Sequence, residues 1–177
     1  MSDSSLKKCG IYTIRLIPKG IKTVDFAGGL YATAPSNIGE PIKAESLVPS
    51  ATGTQAWQVE KIEGTDKYTI TTVSPSVEGI PPAVIAWQHN KIAVQGEPII
   101  YGAGNEFSTY WISPADLSGT YHINVDPGVE VLGVRYAVAD SDLNELVIKT
   151  YPVIAEPVHV PRWQFIPVEA TKGASTS

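Results

Sequence analysis

Apolar and polar residues alternate in short runs along most of the chain, and Pro or Gly residues separate the runs. Alternation with a period of two places every second side chain on the same face of an extended strand. The runs are rich in Val, Ile, Thr and Tyr, which favour strands, whereas 14 Pro and 15 Gly supply turn residues. The pattern therefore predicts an all-β protein built from short strands.

One pattern of aromatic residues occurs three times. It begins with a tyrosine in a strand-like phrase, at Tyr12, Tyr68 and Tyr121. A tryptophan follows after 45, 43 and 42 residues, at Trp57, Trp111 and Trp163. Two further strand-like runs lie between the landmarks of each unit: Leu30–Ala32 and Ile42–Ala44, Val84–Ala86 and Pro98–Ile100, Val134–Tyr136 and Val147–Lys149. Each unit therefore predicts four strands, and the chain about twelve.

Three such units need one another, because a single unit cannot bury its apolar face. Packed around an axis they share one core and remove most exposed sheet edges. We therefore predict a β-trefoil of three pseudo-symmetric four-strand repeats in a single domain at residues 10–169. Residues 1–9 are expected to form an N-terminal extension, and residues 170–177 a disordered tail.

The recurring tyrosines and tryptophans are predicted to be packing residues, since each large aromatic side chain buries roughly 150–250 Å². Trp87 has no counterpart in the other units. Its exposure is left open by the pattern.

Charge and cysteine content narrow the possible partners and compartment. The formal net charge is −5, and the 13 Lys and Arg residues are scattered without forming a basic stripe, so no nucleic-acid partner is expected. Cys9 is the single cysteine and cannot form an intramolecular disulfide. The opening segment is polar and no run of about 18 apolar residues occurs, which favours no membrane contact and a cytoplasmic location. Nothing demands oligomerisation, and a monomer is expected.

No group of residues in the sequence forms a recognisable catalytic or metal-binding pattern. His89, His122 and His159 have no neighbouring nucleophile or metal ligand at a useful spacing. Asp140 and Asp142 lie close together but lack the other ligands of a calcium loop. We therefore predict no enzymatic activity, no cofactor and no metal, and expect the function to lie in the loops.

Several stretches resemble the fungal mycocypins, a family of β-trefoil cysteine protease inhibitors. In the first half they are Gly28–Thr33, Pro41–Glu45, Trp57–Val59 and Tyr68–Ile70, and near the C-terminus Pro152–Ile154 and Val160–Trp163. The resemblance covers most of residues 10–167 and is strongest in the first repeat and the last strand. It implies a β-trefoil whose partners are papain-like cysteine proteases.

The resemblance also implies a reversible, non-covalent mechanism in which two neighbouring loops of the first repeat enter the active-site cleft. The first, called loop one below, is Asp25, Phe26, Ala27, Gly28 and Gly29. The second, loop two, is Val48, Pro49, Ser50, Ala51, Thr52 and Gly53. The two adjacent glycines suit a narrow cleft because they carry no Cβ.

Two further loops bear on serine proteases and legumain. Some relatives inhibit legumain or trypsin through the loop after the fifth strand, using Asn or a basic residue, but here Thr71–Pro82 contains neither. Weak or no inhibition through that loop is expected. A related group of fungal trefoils inhibits serine proteases through the loop between the second and third strands, where this chain has Asn37. Inhibition of trypsin-like proteases around Asn37 is therefore one alternative.

A glycan-binding trefoil is the second alternative. Trefoil lectins often carry a Gln-any-Trp triplet in every repeat, and Gln55-Ala56-Trp57 matches it. The corresponding positions read Thr109-Tyr110-Trp111 and Pro161-Arg162-Trp163, so two repeats lack the glutamine. The sequence therefore favours the protease inhibitor over the lectin.

Overall fold

A computed structural model describes residues 6, 9–49, 52–73, 84–104, 106–129, 131–153 and 159–168. These residues form twelve strands and one short helix. The elements are β1 (Cys9–Ile17), β2 (Leu30–Thr33), β3 (Lys43–Ser46), α1 (Thr52–Gln55), β4 (Trp57–Lys61), β5 (Lys67–Thr72), β6 (Ile85–Gln88), β7 (Ile100–Ala103), β8 (Tyr110–Pro114), β9 (Tyr121–Val125), β10 (Val134–Asp140), β11 (Leu146–Pro152) and β12 (Arg162–Pro167). No helix within the described ranges is long and apolar enough to cross a bilayer.

Six of the strands close into a barrel. β1 pairs with β4, β4 with β5, β5 with β8, β8 with β9, β9 with β12, and β12 with β1, every pair antiparallel. The other six strands form the hairpins β2–β3, β6–β7 and β10–β11, each continuing from a barrel strand. Closure satisfies the backbone hydrogen bonds of the barrel strands and leaves the barrel without an open edge. The predicted β-trefoil with twelve strands is confirmed.

The register of the barrel shows which aromatic residues are equivalent. Tyr12 pairs with Trp57, Tyr68 with Tyr110, and Tyr121 with Trp163. Trp57, Tyr110 and Trp163 are completely buried. The core residue of the second repeat is therefore Tyr110.

Trp111 was the residue predicted for that core position, and the prediction was wrong by one residue. The side chain of Trp111 is only half-buried. Its ring lies under Lys67, whose Nζ is 4.8 Å from the ring centroid. The period-two alternation explains the consequence, because a shift of one position moves a side chain to the opposite face of a strand.

Trp87 supplies the indole that the second repeat lacks at Tyr110. It is completely buried, and its ring contacts Trp57 and Tyr110 edge-on at centroid distances of 5.5 and 6.2 Å. The strand register makes Trp87 equivalent to Ala32 and Val138 in the other repeats. The second repeat thus has large aromatic side chains on both strands, where the other repeats combine an indole on the barrel strand with a small aliphatic side chain on the hairpin strand.

The described structure reaches almost to both predicted domain boundaries. β1 begins at Cys9, which pairs with Glu60, and β12 ends at Pro167. Residues 1–5, 7–8 and the predicted tail at 170–177 lie outside the described residues. The division of the chain into extension, domain and tail stays a prediction.

Candidate functional site

Loop one and loop two leave the same end of the β2–β3 hairpin. Leu30, the first residue of β2, pairs with Ser46, the last residue of β3. Loop one ends at Gly29, directly before Leu30, and loop two begins two residues after Ser46. Ser50 and Ala51 of loop two lie outside the described residues. Gly29 and the described start of loop two therefore lie at the same end of the hairpin, which agrees with what the resemblance implies.

Arg15 in β1 holds loop one from beneath. Its side chain is buried, and the guanidinium donates hydrogen bonds to three backbone carbonyl oxygens of the connection that contains the loop. Nη2 donates to Val24 O at 2.6 Å, and Nη1 donates to Phe26 O at 3.1 Å and Gly28 O at 3.2 Å. Guanidinium suits this role because it has several donors in a rigid fork and no acceptor.

Two further contacts hold the Arg15 guanidinium in this position, and neither involves a carboxylate. Its Nε and Nη2 both donate to Oε1 of Gln164 in β12, with Nε at 3.0 Å. The guanidinium carbon also lies 4.2 Å from the ring centroid of Phe26, a cation–π distance. No ion pair within the described ranges includes Arg15. Neutral oxygens and an aromatic ring therefore compensate the burial of its charge.

The two glycines of loop one serve different purposes. Gly28 and Gly29 have φ angles of +81° and +109°, which side chains strongly disfavour. A Cβ on Gly29 would lie 3.1 Å from Cδ of Arg15, whereas a Cβ on Gly28 would meet nothing within 4 Å. Gly29 is thus required by the packing of the loop onto Arg15, and Gly28 leaves an exposed stretch of bare backbone.

Gln55, the last residue of α1, holds loop two. Its side chain is 1% exposed and makes three hydrogen bonds. Nε2 donates to Thr33 Oγ1 at 2.9 Å and to Ser46 O at 3.0 Å, and Oε1 accepts from Val48 N at 3.0 Å. The helix is also tied to β2, since Ala34 N donates to Thr54 O at 2.8 Å. One amide side chain therefore links the beginning of loop two to the residues that follow the loop.

Apolar side chains stand exposed where the two loops meet. Leu47 and Val48 are 49% and 44% exposed, and Pro49 is exposed as well. In loop one, Asp25, Ala27 and Gly28 are exposed, whereas Phe26 is half-buried against Arg15. The outer surface of the pair is small, mostly apolar and free of basic side chains.

The chain also matches a known inhibitor family over most of its length. A family model described as peptidase inhibitor clitocypin matches residues 10–165. The chain belongs to the clitocypin family. Macrocypin-5a from Macrolepiota procera is 29% identical to it over 164 residues, which cover 87% of this chain and 93% of the relative. The predicted resemblance to the mycocypins is thereby confirmed, and this clitocypin-family protein is a protease inhibitor and not an enzyme.

Asn37 lies at the other end of the β2–β3 hairpin from loops one and two. It belongs to the connection between Thr33 and Lys43, and its side chain is exposed. Nδ2 of Asn37 donates to Glu40 Oε1 at 2.8 Å, and the backbone N of Asn37 lies 3.4 Å from Glu40 Oε2. The structure therefore does not bring Asn37 together with the two loops, and its amide already has a partner within its own turn.

The residues behind the lectin alternative serve the fold of this family member. Gln55 is occupied in holding loop two, and Trp57 is completely buried with its indole Nε1 donating to Ala32 O at 2.9 Å. Neither polar group faces solvent. A sugar could therefore reach the triplet only after the core had opened.

The remaining candidates have structural partners or lie outside the described residues. Nδ1 of His122 lies 2.9 Å from Pro161 O, and Nδ1 of His89 lies 2.7 Å from Asn90 O. In the part of the chain that the structure describes, no three acidic, histidine or cysteine side chains form a metal site. The loop at Thr71–Pro82 is described only as far as Val73, so its predicted inactivity toward legumain and trypsin stays a prediction.

Sequence reasoning missed both anchoring residues. Arg15 stands alone among apolar residues in Ile14-Arg15-Leu16-Ile17, directly before the long connection that contains loop one. A single arginine in such a strand is a signal that could have indicated a buried anchor. The sequence marks Gln55 only as part of a possible sugar-binding triplet.

Proposed function

We propose that this protein inhibits papain-like cysteine proteases by placing loops one and two in the active-site cleft. The observation that carries the proposal is the anchoring of two adjacent exposed loops by two buried side chains, Arg15 and Gln55. The name of the family and that of the relative support protease inhibition in general. The class of protease is what the resemblance to the mycocypins implies, and the two anchored loops are compatible with it.

Rigid loops are a physical advantage in this mechanism. A protease complex of standard size buries about 800 Å² on each partner, and ordering the interface residues opposes binding. Because the Arg15 and Gln55 hydrogen bonds form before binding, less conformational entropy remains to be lost. The bare backbone at Gly28 can approach the walls of a narrow cleft closely, since no side chain intervenes.

The mechanism is non-covalent. Cys9 is exposed, but it lies at the start of β1, six residues before Arg15, which contacts loop one. Six residues of a strand span about 20 Å. The thiol is therefore not part of loop one.

Gly28→Glu is the direct test, with Gly64→Glu as its matched control. Both glycines have positive φ, at +81° and +75°, and a Cβ on either would meet nothing within 4 Å. Gly64 lies in the turn after β4, whereas loop two precedes β4, so the control carries the same charge away from the proposed interface. Inhibition constants would be measured by titrating papain, legumain and trypsin with each purified variant.

We expect Gly28→Glu to weaken inhibition of papain by at least about 10-fold, or 1.4 kcal/mol, and Gly64→Glu to leave it unchanged. Equal inhibition by both variants would refute the involvement of loop one. A wild-type protein that inhibits trypsin or legumain but not papain would refute the papain-like target while retaining the inhibitor family.

A further inference from the structure

A cavity of about 620 Å³ opens between the third repeat and the beginning of the connection from β1 to β2. Its floor includes the buried, apolar side chains of Leu16, Ile17 and Ala139. Arg135 and Lys149 of the β10–β11 hairpin line it together with Arg162 of β12. The volume falls within the range of roughly 300–1,000 Å³ that small-molecule sites occupy.

The cavity is positively charged in an acidic protein. Four basic side chains line it, Lys19, Arg135, Lys149 and Arg162, against two acidic ones, Asp116 and Asp140. The lining therefore carries two more positive than negative charges, whereas the whole chain has a formal net charge of −5. A locally positive concave surface concentrates anions.

The basic side chains of the cavity differ in how many hydrogen bonds or ion pairs they already make within the protein. Arg162 Nη1 lies 3.5 Å from Asp116 Oδ2, and Nη2 donates to Ile21 O at 2.8 Å. Lys149 Nζ donates to the backbone oxygen of Asp140 at 2.6 Å. Arg135 is half-buried and makes no hydrogen bond or ion pair with any described residue. Its guanidinium is thus available to an anion at the cavity wall.

The pKa of His122 is affected by the same basic side chains. Burial lowers its pKa; the Pro161 hydrogen bond and Asp116 oppose the decrease, and Arg135 and Arg162 add to it. Its Nδ1 donates to Pro161 O at 2.9 Å, since a carbonyl oxygen only accepts. A lowered pKa favours the neutral ring, so the positive charge of the lining comes from its Lys and Arg side chains.

We propose that this cavity binds a small organic anion, with its charged group at Arg135 and Lys149 and its apolar body on Leu16, Ile17 and Ala139. A guanidinium and an ammonium beside each other provide charge-assisted hydrogen bonds to a carboxylate or sulfonate. The apolar floor favours a ligand with a hydrophobic part over an inorganic ion. No described residue of loop one or loop two lines the cavity, although Leu30, which follows loop one, does.

Two dyes of nearly equal shape test the proposal. 8-Anilinonaphthalene-1-sulfonate carries a sulfonate, whereas N-phenyl-1-naphthylamine has the same aromatic body without a charge. Each would be titrated into the full-length, ¹⁵N-labelled protein, with fluorescence for affinity and amide chemical shifts for location. We expect the sulfonate to bind saturably, to shift amides of the cavity lining, and to bind at least about 10-fold more tightly than the neutral dye.

Charge variants then assign the anion contact. Arg135→Gln should weaken binding of the sulfonate dye by about 5- to 10-fold, as the loss of one charge-assisted contact implies. Lys43→Gln removes the same charge from an exposed residue that does not line the cavity and should have no effect. The proposal is overturned by equal binding of the two dyes, by shifts confined to other surfaces, by an absence of saturable binding, or by an equal response of the two variants. Because no protease is present, failure here leaves the proposed inhibition untouched.

Discussion

Loop one and loop two leave the same end of one hairpin, yet different side chains hold them. The connection that contains loop one presents three backbone carbonyl oxygens to its anchor, and these need donors, which the guanidinium of Arg15 supplies. At loop two the anchor meets the N–H of Val48 and, just before the loop, the carbonyl of Ser46; a carboxamide satisfies both because it accepts and donates. The polarity of the exposed backbone thus explains why one anchor is arginine and the other glutamine.

The two loops are also expected to differ in how strongly their stability depends on their anchoring side chains. Loss of Arg15 leaves three carbonyls of one connection and Gln164 without their charged donor. Loss of Gln55 removes neutral hydrogen bonds, and the helix α1 remains tied to β2 through Ala34. Hydrogen bonds to charged groups contribute more than neutral ones. We therefore expect loop one to be the more sensitive of the two.

The largest effect is expected for Arg15→Met. The free energy of unfolding should fall by about 3 kcal/mol, because several hydrogen bonds to a buried charge disappear together. Urea unfolding measures this change, and papain titration at a temperature where the variant is folded should show weaker inhibition. Arg135→Met is the control and should change stability by less than about 1 kcal/mol, since Arg135 has no partner within the described ranges. Similar losses for the two arginines would refute the anchoring role.

Gln55→Leu should have the second largest effect. Leucine fills a similar volume but leaves Ser46 O and Val48 N unsatisfied, so we expect a loss of about 2 kcal/mol in urea unfolding. Gln58→Leu on β4 is the matched control, because among the described residues its amide makes only a long contact of 4.0 Å to Cys9 Sγ. A loss for Gln55→Leu that exceeds that of Arg15→Met would reverse the proposed order of the two loops.

The glycines of loop one allow a sharper test of the Arg15 contact. Gly28→Ala should cost about 1 kcal/mol from its positive φ alone. Gly29→Ala should cost about 1 kcal/mol more, because its Cβ would lie 3.1 Å from Arg15 Cδ. The excess should shrink when both variants are made in Arg15→Met, a double-mutant cycle read by urea unfolding. An unchanged excess would mean that the strain has another origin.

Thr33→Val should have the smallest effect. Thr33 Oγ1 accepts a hydrogen bond from Gln55 and donates one to Tyr31 O at 2.9 Å, so its loss should cost about 1 kcal/mol in thermal or urea unfolding. Thr69→Val is the control, since that hydroxyl is 3.5 Å from its acceptor in an exposed position. If Thr33→Val destabilises the protein equally with and without Gln55→Leu, Thr33 does not act through Gln55.

Much of the fold was predictable from local patterns, and the errors have physical causes. The repeats were identified by spacing, but spacing alone could not show that Tyr110, beside Trp111, faces the core. The exposure of Trp87 was undecidable for the same reason. Its burial depends on packing against Trp57 and Tyr110, which lie on other strands. Loops one and two were located correctly in the chain through resemblance, whereas their anchors were not.

The sequence by itself determined the all-β class, the three repeats and the family, because strand alternation and repeat spacing are carried by residues close together in the chain. Only the tertiary structure decided what holds the loops. Arg15 meets Gln164, which lies 149 residues away, and both reach loop one because barrel closure pairs β1 with β12. The same closure places Arg135 and Arg162 beside Leu16 and forms the charged cavity. Contacts of this kind depend on which strands become neighbours, and no local pattern encodes that choice.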